Sequence, residues 1–216
     1  MVMARPDWLK TRIFLDSGDP EETRKTIDLL GFLDGQTTNP TLVARNPRVQ
    51  ERLRKDEKFT RKERTDFYKK TVQEISDLIP DGWVSIETDV DHNTGADEIL
   101  EQAKDMFTWI PNPHIKMPIN KAGLQAAQKA VALGIRINMT LCFSQEQAAA
   151  VYMATLGAKR GDVFVSPFIG RLDDAGFNGT DLTGNIQKML IQMGDGHVMN
   201  LTASIRDVFT LLHEIK

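Results

Sequence analysis

The chain has 216 residues, 41% hydrophobic and 26% charged, with a formal net charge of −3 and one cysteine. That length suits one domain with a substantial core, and no apolar run reaches the ~20 residues of a membrane-spanning helix. The first ten residues carry Asp7 and no hydrophobic segment, so neither a signal peptide nor an anchor is expected.

Taken in chain order, apolar runs of strand length alternate with well-punctuated helical patterns. "RIFLD" (12–16) reads as a first strand, followed by a helix with Asp19 as N-cap, Pro20 in its first turn and Gly31 past its end. "FLDGQTT" (32–38) is the second strand. A charged stretch and a helix ending near Ile79 lead to the third, "WVSIE" (83–87). A helix over about 96–110 precedes "HIKM" (114–117), the fourth. Asn120 then caps a helix that Gly134 ends, and "IRINMT" (135–140) is the fifth strand. Ser144 and Gln147 form the pattern of a capping box for a helix closed by Gly157. "VFVS" (163–166), a helix around 181–193, "HVMNLTAS" (197–204) and a short terminal helical pattern complete the chain.

Repeated strand–helix units imply a parallel sheet, either an open doubly wound sheet or a barrel. The strand ends favour the barrel. Asp16, Asn39, Glu87, Lys116, Asn138, Thr140 and Ser166 fall within or just after the C-terminal ends of strands. Polar groups supplied by nearly every strand suit the active face of a (β/α)8 TIM-type barrel, whereas an open sheet concentrates them at one switch point.

Absent patterns narrow the chemistry. No G-x-G-x-x-G follows the first strand, no P-loop is present, and no serine sits in a nucleophile elbow. The four histidines (His92, His114, His197, His213) show no metal-ligand spacing, so no metal and no cofactor are expected. Cys142 lies between Leu141 and Phe143 and reads as a buried, inert thiol in a reducing compartment. Lys116 stands out, because it interrupts an apolar strand between Ile115 and Met117. A lysine in an apolar interior loses hydration, which favours the neutral, nucleophilic amine. Such an amine attacks ketones to form a Schiff base, an electron sink for breaking the neighbouring C–C bond. The competing reading is a buried ion pair with Asp16 or Glu87, and composition alone leaves both open. Beyond strands six and seven, Ser166 with Arg171 and Ser204 with Arg206 suit a phosphate or sulfonate, a surface role for the arginines being the alternative.

The charge is uneven. Residues 45–70 hold eleven Lys/Arg against five Asp/Glu, leaving 16 against 25 in the remainder. This stretch reads as a solvated helical insertion at about 43–66, or as a basic lid or docking surface for an anionic partner. Nucleic acid is not expected, since aromatics are few and no recognised binding motif appears.

The segments "DGQTTNPTL" (34–42), "HIKMP", "GIRINMTLCFS" (134–144), "VSPFIGRLDD" (165–174) and "TASIR" (202–206) together resemble the transaldolase family, in its small-subunit form close to fructose-6-phosphate aldolase. The resemblance implies Lys116 as the Schiff-base lysine and Asp16 as acid/base at the cleaved bond. Glu87 and Thr140 would hold the catalytic water, and Asn39 and Asn138 the dihydroxyacetone hydroxyls. Ser166, Arg171, Ser204 and Arg206 would bind the distal anion. Glu87 and Phe168 stand where the aldolase branch carries glutamine and tyrosine, which favours transfer over simple cleavage. The resemblance further implies a homo-oligomeric cytoplasmic enzyme of sugar-phosphate metabolism, such as the pentose phosphate pathway, with no membrane partner. The alternatives are an aldolase releasing dihydroxyacetone, a transaldolase for sulfofructose, and a non-catalytic sugar-phosphate-binding barrel. Three departures stand out: the basic insertion in the single domain 1–216, Thr202 and Asn120 in place of other expected residues, and only seven strands. The last implies either a truncated chain or a neighbouring subunit covering the gap.

Overall fold

The structure is a computed structural model describing residues 5–215; residues 1–4 of the N-terminal segment and Lys216 of the terminal helical pattern lie outside the described residues. Seven parallel strands alternate with helices among the described residues, the (β/α)8 TIM-type pattern that the strand spacing predicts. They fall into two compact units, residues 1–89 with 105–113, and residues 90–104 with 114–216.

The first unit holds β1 (Phe14–Asp16), α1 (Pro20–Leu30), β2 (Gly35–Thr37), α2 (Pro40–Ala44), α3 (Pro47–Arg54), α4 (Arg61–Leu78) and β3 (Trp83–Glu87). Asp19 caps α1 by accepting from the Glu21 N–H, and Gly31 ends it at φ 79°, as the sequence predicts. The first two strands are shorter than their apolar runs. Ile13 and Asp34 are taken up outside the ladder, with the Asp34 carboxylate accepting from the Ile13 N–H. Parallel register pairs Asp16 with Thr37 and Thr37 with Ser85. Strand side chains alternate, so these three share one face. The opposite face carries Gln36, whose amide bonds the Ser17 carbonyl and the Thr23 hydroxyl of α1. The face bearing Asp16 is therefore turned away from α1. Val72 and Ile75 of α4 are fully buried, as are Val84 and Ile86 of β3.

The second unit contains all but the first residue of β4 (Pro113–Pro118), then α6 (Lys121–Ala132), β5 (Ile137–Cys142), α7 (Gln145–Ala154) and β6 (Val163–Pro167). It continues through α8 (Ile169–Asp174), α9 (Gly179–Met193), β7 (Val198–Asn200) and α10 (Val208–Glu214). The chain passes between the units three times, after Asp89, within α5 (Ala96–Phe107) and after Pro113, and α5 stops short of residue 110. Asn120 caps α6 through the Gly123 N–H. The capping box at α7 is half formed. Ser144 Oγ accepts from the Gln147 N–H, but the Gln147 side chain accepts from Phe143 instead of from the cap residue. α8 is a helix that the sequence pattern does not reveal; its six residues are too few to show a period.

Candidate active site

Lys116 lies mid-strand in β4 and is 5% exposed, with Ile115 and Met117 fully buried beside it. Register aligns Lys116 with Asn138 and Pro118 with Thr140, so the lysine, the asparagine and the threonine occupy one face of β4 and β5. Ile115, Met117 and Met139 take the other. Alternation thus lets one strand carry an apolar face while delivering a polar row on the opposite side.

Asn138 is fully buried, and its Oδ1 accepts from Ser166 Oγ on β6 at 2.8 Å. With the oxygen accepting, the amide nitrogen is the donor end of this side chain. Ser166, which the sequence reading placed at the anion end, gives its hydroxyl proton to Asn138 here and keeps its acceptor lone pairs. Thr140 is 1% exposed, and its Oγ1 has no hydrogen-bond partner among the described residues. A buried hydroxyl in that state is costly and is the kind of group expected to hold a ligand or water. Just beyond it the β5–β6 register slips between Met139 and Cys142, and Leu141 is held at φ 62°. A branched side chain in the left-handed region is strained, and such strain gathers at functional sites.

Phe168 follows β6. Its ring centroid lies 6.0 Å from Lys116 Nζ and 5.1 Å from the Arg171 guanidinium carbon, with Phe143 edge-on at 6.1 Å. The phenyl ring therefore lies within cation–π range of both the amine and the arginine nominated for the anion. Arg206 bonds Asp174 at 2.9 Å and lies 3.4 Å from Ser204 Oγ, so this arginine has a carboxylate to exchange for any anion it binds. Ser204 adopts φ 63°. Its carbonyl accepts from the Gly170 N–H so closely that a Cβ at Gly170 would collide with it. Glycine in "SPFIGR" is thus what allows that segment to lie against "TASIR".

In the first unit, Asp16 is exposed and accepts from Thr37 Oγ1 at 2.7 Å. Glu87 ends β3 half-buried, and its backbone N–H donates to the Tyr68 hydroxyl at 2.8 Å. Tyr68 in turn donates to Thr38, which donates to the Ser85 carbonyl. Tyr68 comes from α4 and is buried; desolvation pushes its phenol above the usual tyrosine range. Asn39 uses its Oδ1 to cap α2 at the Leu42 N–H, leaving the amide nitrogen as its other functional end. Sequence reasoning missed Tyr68 and Thr37, because a tyrosine inside "TDFYKK" and a threonine inside "QTTN" carry no pattern of their own.

The remaining candidates behave as structural residues. Cys142 is buried, its thiol pushed up to about 11 by desolvation. His114 stacks on Phe164 with centroids 4.4 Å apart and donates Nε2–H to the Gly161 carbonyl; burial holds its pKa down at about 3. No group of three His, Cys, Asp or Glu among the described residues is placed to hold a metal, and no described helix is long and apolar enough to cross a membrane.

Fold and site together define a TIM-type α/β protein with a buried lysine in a polar row at its strand ends. The family model described as Transaldolase/Fructose-6-phosphate aldolase matches residues 13–214, and the chain belongs to that family. A protein named probable transaldolase from Dehalococcoides mccartyi is 40% identical over 195 residues, covering 90% of this chain and 77% of that one. Probable transaldolase 2 of Listeria monocytogenes is 33% identical over 197 residues, 91% of this chain and 77% of its own. A probable transaldolase of Roseiflexus sp. is 35% identical over 181 residues, covering 84% and 70%. Among solved structures, active domain 2 of a chitinase from Pyrococcus furiosus superposes with a TM-score of 0.42 at 12% identity over 88% of this chain and 83% of that one, a likeness too slight to bear on either fold or function. The chain is an enzyme of the transaldolase/aldolase type.

Proposed function

We propose that the enzyme is a lysine-dependent Schiff-base transaldolase that moves a dihydroxyacetone unit from a ketose phosphate to an aldehyde acceptor, with no cofactor. The observation that carries this reading is Lys116, an amine almost wholly buried in β4 on the face that also carries Asn138 and Thr140. Burying an amine among apolar neighbours costs free energy, which a catalytic role accounts for.

In the proposed sequence Lys116 Nζ attacks the ketose carbonyl carbon, water leaves, and an iminium ion forms. Asp16 takes the proton of the hydroxyl beyond the bond to be broken. The bond electrons pass into the iminium, an aldehyde departs, and an enamine remains. The enamine carbon bonds to the carbonyl carbon of the second aldehyde, whose oxygen takes back the proton held by Asp16, and hydrolysis of the restored iminium frees the lysine. Glu87 and Thr140 hold the water of dehydration and hydrolysis, a role consistent with the unpartnered Thr140 hydroxyl. Asn39 and Asn138 donate to the three-carbon unit's hydroxyls, with Ser166 positioning Asn138. Ser166, Arg171, Ser204 and Arg206 take the distal phosphate or sulfonate. Glu87 and Phe168, in place of the glutamine and tyrosine of the aldolase branch, favour transfer to an acceptor. The family resemblance further supports a cytoplasmic homo-oligomer, with residues 43–66 as an insertion after β2.

Borohydride reduction in the presence of fructose 6-phosphate, followed by peptide mapping, tests this reading. A stable adduct on Lys116 is expected. A folded protein that gives no adduct with fructose 6-phosphate or with free dihydroxyacetone overturns the mechanism. Turnover without an acceptor aldehyde at the full rate overturns transfer in favour of cleavage.

A further inference from the structure

The first unit contains a cavity of about 450 Å3 that the reaction above does not use as a whole. Its walls are apolar: Val43 of α2, Val49 and Leu53 of α3, Phe67 of α4, and Met106 with Trp109 from the 105–113 segment. The aromatic side is braced. Phe59 lies edge-on to Phe67 at 6.3 Å under the Arg52 guanidinium at 4.1 Å, and Tyr68 meets Trp109 edge-on at 6.0 Å. Thr60 and Glu63 close a full capping box at the start of α4, which fixes the first turn of that helix.

Lys58, Arg61 and Arg64 also line the cavity. Among the described residues none of these three makes an ion pair, although cations of the same stretch do: Arg48 with Glu74, Arg52 with Glu57 and Glu63, and Lys55 with Glu51. Three cations with no carboxylate of their own thus stand where an apolar recess opens. The carboxylates that line the cavity are Glu87 and Asp89. Glu87 is held through Tyr68, seven residues along α4 from Arg61, a separation of roughly 10 Å on a helix. Negative charge at the Glu87 end and positive charge at the Arg61 end give the cavity a direction. The volume falls within the range of small-molecule sites.

We propose that this cavity is a second binding site, taking a small organic anion with an apolar body, namely an aryl or alkyl sulfonate or phosphate. The apolar body lies against Val49, Leu53 and Phe59, and the anion meets Arg61, Arg64 and Lys58. The site does not depend on the Schiff-base reading.

The test is fluorescence titration of the full chain with 8-anilinonaphthalene-1-sulfonate and, in parallel, with its uncharged counterpart N-phenyl-1-naphthylamine. One saturable sulfonate site per chain is expected. The exchange Arg61→Gln with Arg64→Gln, at exposed positions, weakens the sulfonate about tenfold or more, as loss of a charged contact does, and leaves the uncharged dye unchanged. Leu53→Trp, also at an exposed position, fills the recess and abolishes binding of the sulfonate. No saturable binding, or sulfonate binding indifferent to the two arginines, overturns the proposal. Sulfonate binding that persists in a protein giving no borohydride adduct overturns the mechanism while leaving this site standing.

Discussion

The polar row of β4 to β6 and the basic stretch 45–70 both gather ionisable and hydrogen-bonding side chains, under opposite physical conditions. Lys116, Asn138, Thr140 and Ser166 are each 5% exposed or less. Most of the eleven cations in 45–70 lie in water, several of them in ion pairs with nearby carboxylates. A buried polar group costs free energy unless it is bonded or used, so each member of the row requires a reason. An exposed charge costs almost nothing to keep, and pairs of exposed charges contribute roughly 0–1 kcal/mol. One buried lysine therefore says more about function than any single exposed cation of the stretch.

The sharpest break of this comparison is to remove one lysine from each region. Lys116→Ala is expected to lower kcat by about three orders of magnitude or more, because it deletes the proposed nucleophile, and to abolish borohydride trapping. Lys62→Ala, an exposed member of the basic stretch, is expected to leave kcat within about twofold. Steady-state kinetics on the two variants, with circular dichroism to verify folding, makes the comparison. A Lys116→Ala enzyme with most of its activity would turn the buried row into a structural feature.

The second effect is acid sensitivity. His114 lies on β4 two residues before Lys116, and burial depresses its pKa to about 3 from an ordinary 6.5. A depressed folded-state pKa means that the unfolded chain binds the proton first. The stability that neutral His114 contributes is therefore intact above pH 6.5 and is lost as pH falls from there toward 3. By pH 4.5 the loss is expected to be about 2 kcal/mol, on the basis of 1.36 kcal/mol per pH unit and allowing for relaxation around the ring. His114→Gln keeps an N–H donor and removes the titration, so its urea midpoint should fall less steeply than wild type between pH 6.5 and 4.5. Parallel slopes would refute the assignment.

How much of this was legible in the chain depends on whether a feature is local. Caps at Asp19 and Asn120 and the left-handed Gly31 are set by a few neighbouring residues, and they appear where the sequence puts them. The third strand matches residue for residue, since "WVSIE" is bounded by Gly82 and by polar residues. The interior hydrogen bond from Ser166 to Asn138 joins residues 28 apart, and nothing in "VSP" or "RINM" announces it. Leu141 and Ser204 adopt left-handed backbone without the glycine that would have signalled it. The cavity in the basic stretch was hidden for a similar reason: sequence shows charge, but not which cations have found a carboxylate.

A smaller effect is expected where α4 meets β3. Tyr68→Phe removes the hydroxyl that accepts from the Glu87 N–H and donates to Thr38. The backbone donor is then left without this acceptor, at a cost of about 1–2 kcal/mol in urea unfolding. Tyr68 has a raised pKa, so its contribution is complete below pH 10 and declines above it, as the unfolded tyrosine ionises and the buried one does not. The Phe variant should lose that alkaline decline. If Tyr68 positions Glu87, kcat falls several-fold with KM nearly constant; an unchanged kcat confines the tyrosine to stability.

The smallest effect separates two views of the basic stretch. As a lid for an anionic sugar, neutralising its arginines raises KM for the anionic donor. Two observations argue otherwise for three of them: Arg48 is engaged by Glu74, and Arg45, Arg48 and Arg54 are all exposed to solvent. Arg52 is left in place, because it stacks over Phe59 and bonds Glu63, and removing it would disturb the cavity wall. Arg45→Gln with Arg48→Gln and Arg54→Gln is therefore expected to change KM for fructose 6-phosphate by less than about twofold, and stability by about 0.5 kcal/mol or less, the ordinary scale for exposed charges. A selective rise in KM of tenfold would restore the lid, and with it a role in catalysis for charges that now read as a solvated surface.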